Sequence, residues 1–197
     1  MTAQTIVLAS ASPRRRELLA QIGLHAAVIP ADVDETVLPA ETPADHVIRL
    51  SIAKALAVAG RTDIAGRFFL GSDTVVVRDT TILGKPGDAV AAAAMLQSLS
   101  GRAHEVVSGY AVHDRESGRT KSGAVTTKVW FKELTTGEIA GYIASGEPFD
   151  KAGAYAIQGL GAFMVPRIEG SYPNVVGLPL CEVVAALEEL GAVNLFP

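Results

Sequence analysis

The feature that most constrains this fold is an abrupt change of character near the start of the chain. An apolar run at residues 6–9 is followed at once by the polar turn 10–12, and a helical pattern begins at Pro13. Ser12 is a favourable N-cap, and proline suits the first helical position because no helix hydrogen bond is lost there. The pattern predicts a buried strand, a tight turn and a helix.

Three arginines stand at the start of this helix, where simple electrostatics disfavours them. Arg14, Arg15 and Arg16 oppose the partial positive charge of the free amides at a helix N-terminus. A solvated basic turn is therefore a weaker interpretation than a site for a polyanion such as the phosphates of a nucleotide. Arg15 points the same way as Leu18 and Ile22, and an uncompensated cation cannot be buried with them. We expect Arg15 to lean over the helix end, where a phosphate would lie.

Length and composition limit the classes of protein to consider. A chain of 197 residues, 49% of them hydrophobic, fits one compact α/β domain spanning 1–197, or at most two small domains. The net charge of −4 provides no broad basic field, so we expect a small anionic ligand and no nucleic acid. The single cysteine excludes an intrachain disulfide and a thiolate zinc site. Without a signal-peptide pattern or a membrane-length apolar run, we expect a cytoplasmic enzyme that binds no membrane.

Periodicity and capping residues predict a mixed order of helices and strands. Helices are predicted at residues 13–22, 43–59, 89–99, 136–144 and 179–190. Strands are predicted at residues 5–9, 26–29, 68–77, 81–83, 105–113, 123–131 and 163–168. Because the two kinds of element do not alternate strictly, we expect a mixed sheet covered by helices.

An acid interrupts the long apolar strand predicted at residues 68–77. Asp73 falls on the same face as Val75, and such an acid is costly unless it binds a metal, pairs with a cation or faces a cleft. A buried carboxylate satisfied by backbone amides is the structural alternative. Gly71 would leave room for the close approach of a ligand, so we favour a functional role for Asp73.

Two lysines and an acidic loop provide further charges of the kind that a phosphate site uses. Lys54 lies at the edge of the apolar face of its helix, so its ammonium reaches either a cleft or solvent. Lys85 lies in a rigid turn between glycine and proline, which is a weak signal alone. Asp32, Asp34 and Glu35 read either as a solvated loop or as oxygen ligands for a hard cation such as Mg²⁺.

The segment 146–161 is rich in glycine and is expected to be irregular, and its part 150–161 is also rich in alanine. Such a loop approaches either a ligand or another part of the backbone closely. Gln158 offers both a donor and an acceptor, which suits the edge of a nucleobase. The structural alternative is a compact loop in which Tyr155 is packed and Gln158 bonds to the backbone.

Taken together, five motifs resemble the Maf-type nucleoside triphosphate pyrophosphatases, and the resemblance covers essentially the whole chain. Each motif is weak alone, but their order is specific. They are SASPRR at 10–15, GSDT at 71–74, GKP at 84–86, KAGAYAIQG at 151–159 and VGLPL at 176–180.

The resemblance implies a fold and an activity. The family fold is an elongated, twisted mixed α/β sheet flanked by helices, with two lobes and a central cleft, similar to the inosine triphosphate pyrophosphatases. The activity is hydrolysis of a nucleoside triphosphate to a monophosphate and pyrophosphate. The glutamine at 158 is similar to the subgroup acting on dTTP and UTP, whereas an acidic residue there marks the subgroup acting on 7-methyl-GTP.

The resemblance also implies roles for individual residues. Asp73 matches the general base, and with Glu35 it matches the site of a divalent cation, Mg²⁺ or Mn²⁺. The expected substrate-binding residues are Ser10, Ser12, Arg14, Arg15, Lys54, Thr74, Lys85 and Gln158. The family further implies a homodimer. Two alternatives stay open at this point: a pyrophosphatase for 7-methyl-GTP or other modified nucleotides, and a nucleotide-binding regulator of cell division.

Overall fold

The computed structural model describes residues 6–196, which form two compact units. The first unit comprises residues 6–73, 108–125 and 177–196. The second comprises residues 74–107 and 126–176. Of the predicted strand 5–9, Thr5 lies outside the described residues.

The structure confirms the prediction of a mixed α/β fold with a mixed sheet. Seven strands pair in the order β2–β1–β3–β5–β6–β7, and β4 pairs with β3. Strand β1 is parallel to β2 and β3, whereas the β3–β4 and β6–β7 pairs are antiparallel. The strands are β1 (Ile6–Leu8), β2 (Ala26–Val28), β3 (Phe68–Arg78), β4 (Thr81–Leu83), β5 (Ala103–Asp114), β6 (Thr120–Trp130) and β7 (Arg167–Glu169).

Six α-helices and three short 3-10 helices occur within residues 6–196. The α-helices are α1 (Pro13–Gln21), α2 (Pro43–Ala59), α3 (Ala89–Leu99), α4 (Thr136–Ala144), α5 (Tyr172–Val176) and α6 (Leu180–Glu189). The 3-10 helices, at Glu147–Asp150, Ala152–Ala154 and Gly159–Met164, occupy the glycine-rich segment that was expected to be irregular. None of the described helices has the length and apolar character needed to cross a membrane.

In the first unit, helix α2 packs its backbone directly against strands β3 and β5. A Cβ atom added to Gly71 would lie 2.0 Å from the carbonyl oxygen of Ser51, and one added to Gly109 would lie 2.3 Å from that of Val47. The helix begins where predicted because Thr42 accepts a hydrogen bond from the Asp45 amide at 3.1 Å. The apolar core beneath it includes Val7, Ala55, Val58 and Phe69.

In the second unit, helices α3 and α4 cover a separate apolar core. Asp88 caps α3, and Thr135 and Glu138 form the predicted capping box of α4. The core residues from these helices and from the sheet include Leu96, Leu99, Val106, Val129, Phe131 and Tyr142. Each unit therefore has its own hydrophobic centre.

Three local features differ from what the sequence indicated. The strand predicted at 163–168 begins later and spans Arg167–Glu169, because the Val165 amide closes a turn on Ala162 and Pro166 has no amide to donate. Helix α5 was not predicted, since five residues are too few to show a helical period. Ser12 occupies the N-cap position of α1, but its side chain makes no capping hydrogen bond.

Candidate active site

Arg15 is buried and reaches past the N-terminal end of α1 to Ser10, in the turn before the helix. Its Nε donates to the carbonyl of Gly177 at 2.7 Å, and its Nη1 donates to the Ser10 hydroxyl and the Ser72 carbonyl, both at 2.8 Å. The residue is only 9% exposed. Burial lowers the pKa of Arg15, and the negative charge of Asp73 opposes that shift. These oxygen partners provide the compensation that a buried guanidinium needs.

The polar turn before α1 is held from within by Ser10. Its hydroxyl accepts hydrogen bonds from the Ser12 amide at 3.2 Å and from Arg15. Ser10 is buried. Ser12, in the polar turn, and Arg14, in the first turn of helix α1, are half-buried. The expected contacts of Ser10, Ser12, Arg14 and Arg15 with a substrate remain predictions.

The centre of the site in the first unit is an ammonium between two carboxylates. Lys54 Nζ lies 2.7 Å from Oδ1 of Asp73 and 2.6 Å from Oε1 of Glu35. Asp73 and Lys54 are each 8% exposed, whereas the Glu35 side chain is 54% exposed. Of the options raised for an acid in this strand, the structure shows pairing with a cation. Lys54 and Glu35, which the sequence left open between site and solvent, meet at this point.

The space beside Gly71 is occupied by protein, so the prediction that it admits a ligand was wrong. The carbonyl of Ser51 and the amide of Ala55, on helix α2, fill the position of the missing side chain. This close approach brings the helix, and Lys54 with it, down onto strand β3. Gly71 therefore positions the lysine, and Asp73 follows two residues later on the same strand.

The loop that carries Glu35 is tied to helix α2 by Arg49. Its Nη2 donates to the Thr36 carbonyl at 3.0 Å and to Glu41 at 2.8 Å. Glu41 also lies 2.9 Å from Nδ1 of the buried His46, and the hydrogen bond from Arg49 holds the pKa of Glu41 well below its usual range. Glu35 thus faces Lys54 from a braced segment, although the side chain itself is exposed.

The second unit holds the remaining predicted residues, Thr74, Lys85 and Gln158. Thr74 follows Asp73 directly on strand β3 and is half-buried. Lys85 is exposed, and its loop is connected to the glycine-rich segment by a 3.0 Å hydrogen bond from the Gly153 amide to the Gly84 carbonyl. Substrate contacts of these three residues remain predictions.

Tyr155 anchors the glycine-rich segment in the core of the second unit. Its hydroxyl lies 2.7 Å from Nε2 of His104, and its ring packs edge-to-face against His104 and Phe131. Burial raises the pKa of Tyr155 and lowers that of His104 to about 4. Gln158 is half-buried, and its side chain makes no hydrogen bond to the described residues. The alternative in which Gln158 bonds to the backbone was therefore wrong.

The carboxylates of the first unit fit a hard cation that keeps other ligands. Because Glu35 and Asp73 reach one ammonium, they are close enough to reach one metal ion, and carboxylate oxygens suit Mg²⁺ or Mn²⁺. Within residues 6–196, no cluster of three or more His, Cys, Asp or Glu side chains could hold a metal. An ion here would need water or phosphate oxygens to complete its coordination.

Sequence reasoning missed several residues that shape the site in the first unit. The carbonyls of Ser72 and Gly177 bind Arg15, and Arg49 fixes the loop of Glu35. A backbone carbonyl carries no residue signature, so nothing in the sequence singled out these two carbonyls. Arg49, five residues before Lys54 on the same helix, gave no signal distinguishable from a solvated arginine.

Fold and site together define a mixed α/β protein with a buried ammonium–carboxylate cluster beside a strand–turn–helix unit. A family model of the Maf-like proteins matches residues 5–190. The chain therefore belongs to the Maf-like family.

Curated relatives resemble the chain over nearly its whole length. One is the dTTP/UTP pyrophosphatase of Syntrophotalea carbinolica, 65% identical over 97% of this chain and 87% of that protein. A second is the dTTP/UTP pyrophosphatase of Geobacter sp. strain M21, 58% identical over 98% of this chain and all of that protein (100%). A third, from Vibrio cholerae and named likewise, is 54% identical over 92% of this chain and 96% of that protein.

Proposed function

We propose that this protein hydrolyses dTTP and UTP to the nucleoside monophosphate and pyrophosphate. The observation that carries the proposal is the buried Asp73 held by Lys54, because binding alone requires no carboxylate at such a place. The names of relatives up to 65% identical support the same reaction. Water adds to phosphorus, the anhydride bond between the α- and β-phosphates breaks, and pyrophosphate leaves.

Asp73 is suited to receive the proton that the attacking water loses. Lys54 binds Oδ1, and Oδ2 makes no hydrogen bond to the described residues, so one oxygen is oriented and the other can accept a proton. We assign Asp73 as the general base and Lys54 as the group that orients it.

The triphosphate needs charge neutralisation more than covalent chemistry. We assign this task to Arg14, Lys54 and Lys85 and to the free amides at the start of α1, with Ser10, Ser12 and Thr74 as polar contacts. Arg15 supports the group by fixing Ser10 and the Ser72 carbonyl, next to Asp73. These assignments follow from the resemblance and from the cationic character of the residues.

A divalent cation, Mg²⁺ or Mn²⁺, would be held by Glu35 and Asp73. When bound, it would neutralise phosphate charge. The lysine that now lies between the two carboxylates would then share them with the ion. The family resemblance further leads us to propose a cytoplasmic location and a homodimer, which sedimentation of the purified protein would test for the assembly.

Gln158 would select the base. Its amide can donate to a pyrimidine carbonyl and accept from the ring N–H, a pattern that thymine and uracil share and cytosine lacks. A site built on such bonds rejects the mismatched base because buried polar groups would stay unpaired.

The test is a panel of nucleoside triphosphates assayed for released pyrophosphate with Mg²⁺ or Mn²⁺. We expect rapid turnover of dTTP and UTP and slow turnover of CTP and ATP. A preference for a purine triphosphate contradicts the base assignment, and tight binding without turnover contradicts the enzymatic one.

A further inference from the structure

The backbone on both sides of Gln158 is attached to one carboxylate and one phenol of the same unit. Glu147 Oε2 accepts the Leu160 amide at 3.1 Å, and Glu147 Oε1 accepts the Gly161 amide at 3.4 Å. The Tyr142 hydroxyl donates to Glu147 Oε1 at 3.0 Å and itself accepts the Ala156 amide at 3.3 Å. Residues 156 and 160–161 are thereby tied to a single pair of side chains, with Gln158 between them.

The segment is closed tightly around this pair. A Cβ atom added to Gly159, whose φ is +66°, would lie 3.0 Å from both carboxylate oxygens of Glu147. One added to Gly161 would lie 2.3 Å from the Ala156 carbonyl oxygen and 2.9 Å from the Tyr142 hydroxyl. The two glycines permit the backbone to reach Glu147 and Tyr142, so the contacts are part of how the loop is built.

Charge and hydrogen-bonding capacity make Glu147 specific for this place. Tyr142 and the amides of Leu160 and Gly161 all donate hydrogen bonds to its side chain, and an ionised carboxylate is an acceptor on both oxygens. An amide side chain of the same shape would direct a donor at one of these donors. Hydrogen bonds to an ionised acceptor are also about twice as strong as neutral ones.

The backbone of the segment is fixed, yet the side chain of Gln158 has no hydrogen-bond partner among the described residues. A residue whose backbone is fixed and whose side-chain amide is unpaired is prepared for a ligand, because binding then costs little entropy for ordering the loop. We propose that Glu147 and Tyr142 are positioning residues for base selection, which fix the segment 156–161 so that Gln158 presents its amide to the pyrimidine. This inference rests on the proposed function.

The first test compares Glu147→Gln with wild type for dTTP and dCTP. We expect the ratio of kcat/KM for dTTP over dCTP to fall by about tenfold, the size of effect that one lost or opposed buried hydrogen bond produces. The melting temperature is measured on the same preparations. Glu133→Gln, an exposed glutamate in the same unit, is the matched control and should leave the ratio unchanged.

Tyr142→Phe provides a second route if the first variant folds poorly. It removes the hydroxyl that links Ala156 to Glu147 and should lower the same ratio while the ring stays packed. A ratio unchanged in every folded variant overturns the inference.

A double variant separates this inference from the proposed function. If Glu147 acts through Gln158, adding Glu147→Gln to Gln158→Ala changes the ratio no further than Gln158→Ala alone. A further fall of equal size in that background overturns the inference and leaves the base assignment intact. If Gln158→Ala itself leaves the ratio unchanged, the base assignment fails, and with it the positioning role.

Discussion

The ammonium of Lys54 lies 2.7 Å from Asp73 although helix α2 and strand β3 supply the two groups separately. The contact exists because the helix backbone rests directly on the strand at Gly71. A small change in that packing would move the ammonium relative to the carboxylate. The chemistry assigned to Asp73 therefore depends on helix–strand packing as much as on the two side chains.

Asp73→Asn should nearly abolish turnover while nucleotide binding survives. The amide cannot accept a proton from water, and loss of a general base costs roughly two to four orders of magnitude in rate. Pyrophosphate release measures the rate, and calorimetric titration with a slowly hydrolysed dTTP analogue measures binding. A folded variant with unchanged turnover would show that Asp73 is not the base.

Lys54→Met should strengthen binding of Mn²⁺ in the absence of nucleotide. Without the ammonium, one cation fewer competes with the metal ion for Glu35 and Asp73, so we expect the affinity to rise by about tenfold, which corresponds to roughly 1.4 kcal/mol. The electron paramagnetic resonance signal of free Mn²⁺ reports the binding. Lys121→Met, at a partly exposed lysine paired with Glu189, is the control and should bind Mn²⁺ as wild type does. Unchanged or weaker binding in Lys54→Met would contradict a metal site at these carboxylates.

Arg15→Ala should destabilise the fold and slow the hydrolysis of all nucleoside triphosphates by the same factor. It removes the buried hydrogen bonds that the guanidinium donates to the Ser72 and Gly177 carbonyls, and the loss of a hydrogen bond to a charged group costs about 1.5 to 3 kcal/mol. Urea unfolding measures the loss, with Arg16→Ala as the exposed control from the same helical turn, expected within about 0.5 kcal/mol of wild type. A loss of activity confined to one base would count against this role.

Gln158→Glu should depress turnover of dTTP and UTP far more than it weakens binding of pyrophosphate. A carboxylate cannot donate to the pyrimidine carbonyl, and mismatch at such a site costs on the order of a hundredfold or more. Competition by pyrophosphate against dTTP hydrolysis separates the two effects. Gln97→Glu, at an exposed position of α3, serves as the control. If Gln158→Glu hydrolyses the different nucleoside triphosphates in the same order of preference as wild type, the Gln158 side chain does not select the base.

Stability should fall on acidification from about pH 6.5 to about pH 4, in part because of His104. Burial lowers the pKa of His104 to about 4, so between these values the unfolded chain takes up a proton that the folded protein does not. The contribution is fully present above pH 6.5 and amounts to about 3 kcal/mol at most, at 1.36 kcal/mol per pKa unit. Urea unfolding of wild type and His104→Gln at several pH values isolates it. Parallel curves for the two proteins would contradict this assignment.

Local signals made the elements around the site predictable. Thr42 and Pro43 specified the start of helix α2, and Asp88 specified that of α3, because capping depends on neighbours within one turn. The burial cost of a carboxylate likewise predicted that Asp73 needs a cation or a metal.

Contacts over long sequence distances were not predictable in the same way. Nothing in the chain shows that the carbonyl of Gly177 meets Arg15, since a backbone group has the same chemistry at every residue. The sequence also gave no sign that Glu147 binds the amides of residues 160 and 161, because an exposed loop glutamate is the usual case. Such contacts follow from how the whole chain folds.

Gly71 has no side chain, yet it determines how close the Lys54 ammonium comes to Asp73. A single methyl group at this position would clash with the backbone of helix α2 and displace the helix that carries Lys54. Every charged residue would still be present in the sequence. Such a variant would keep every functional group, but the distance between the Lys54 ammonium and the Asp73 carboxylate would change. Libraries that aim to alter substrate choice should therefore leave this glycine untouched and vary the segment around Gln158 instead.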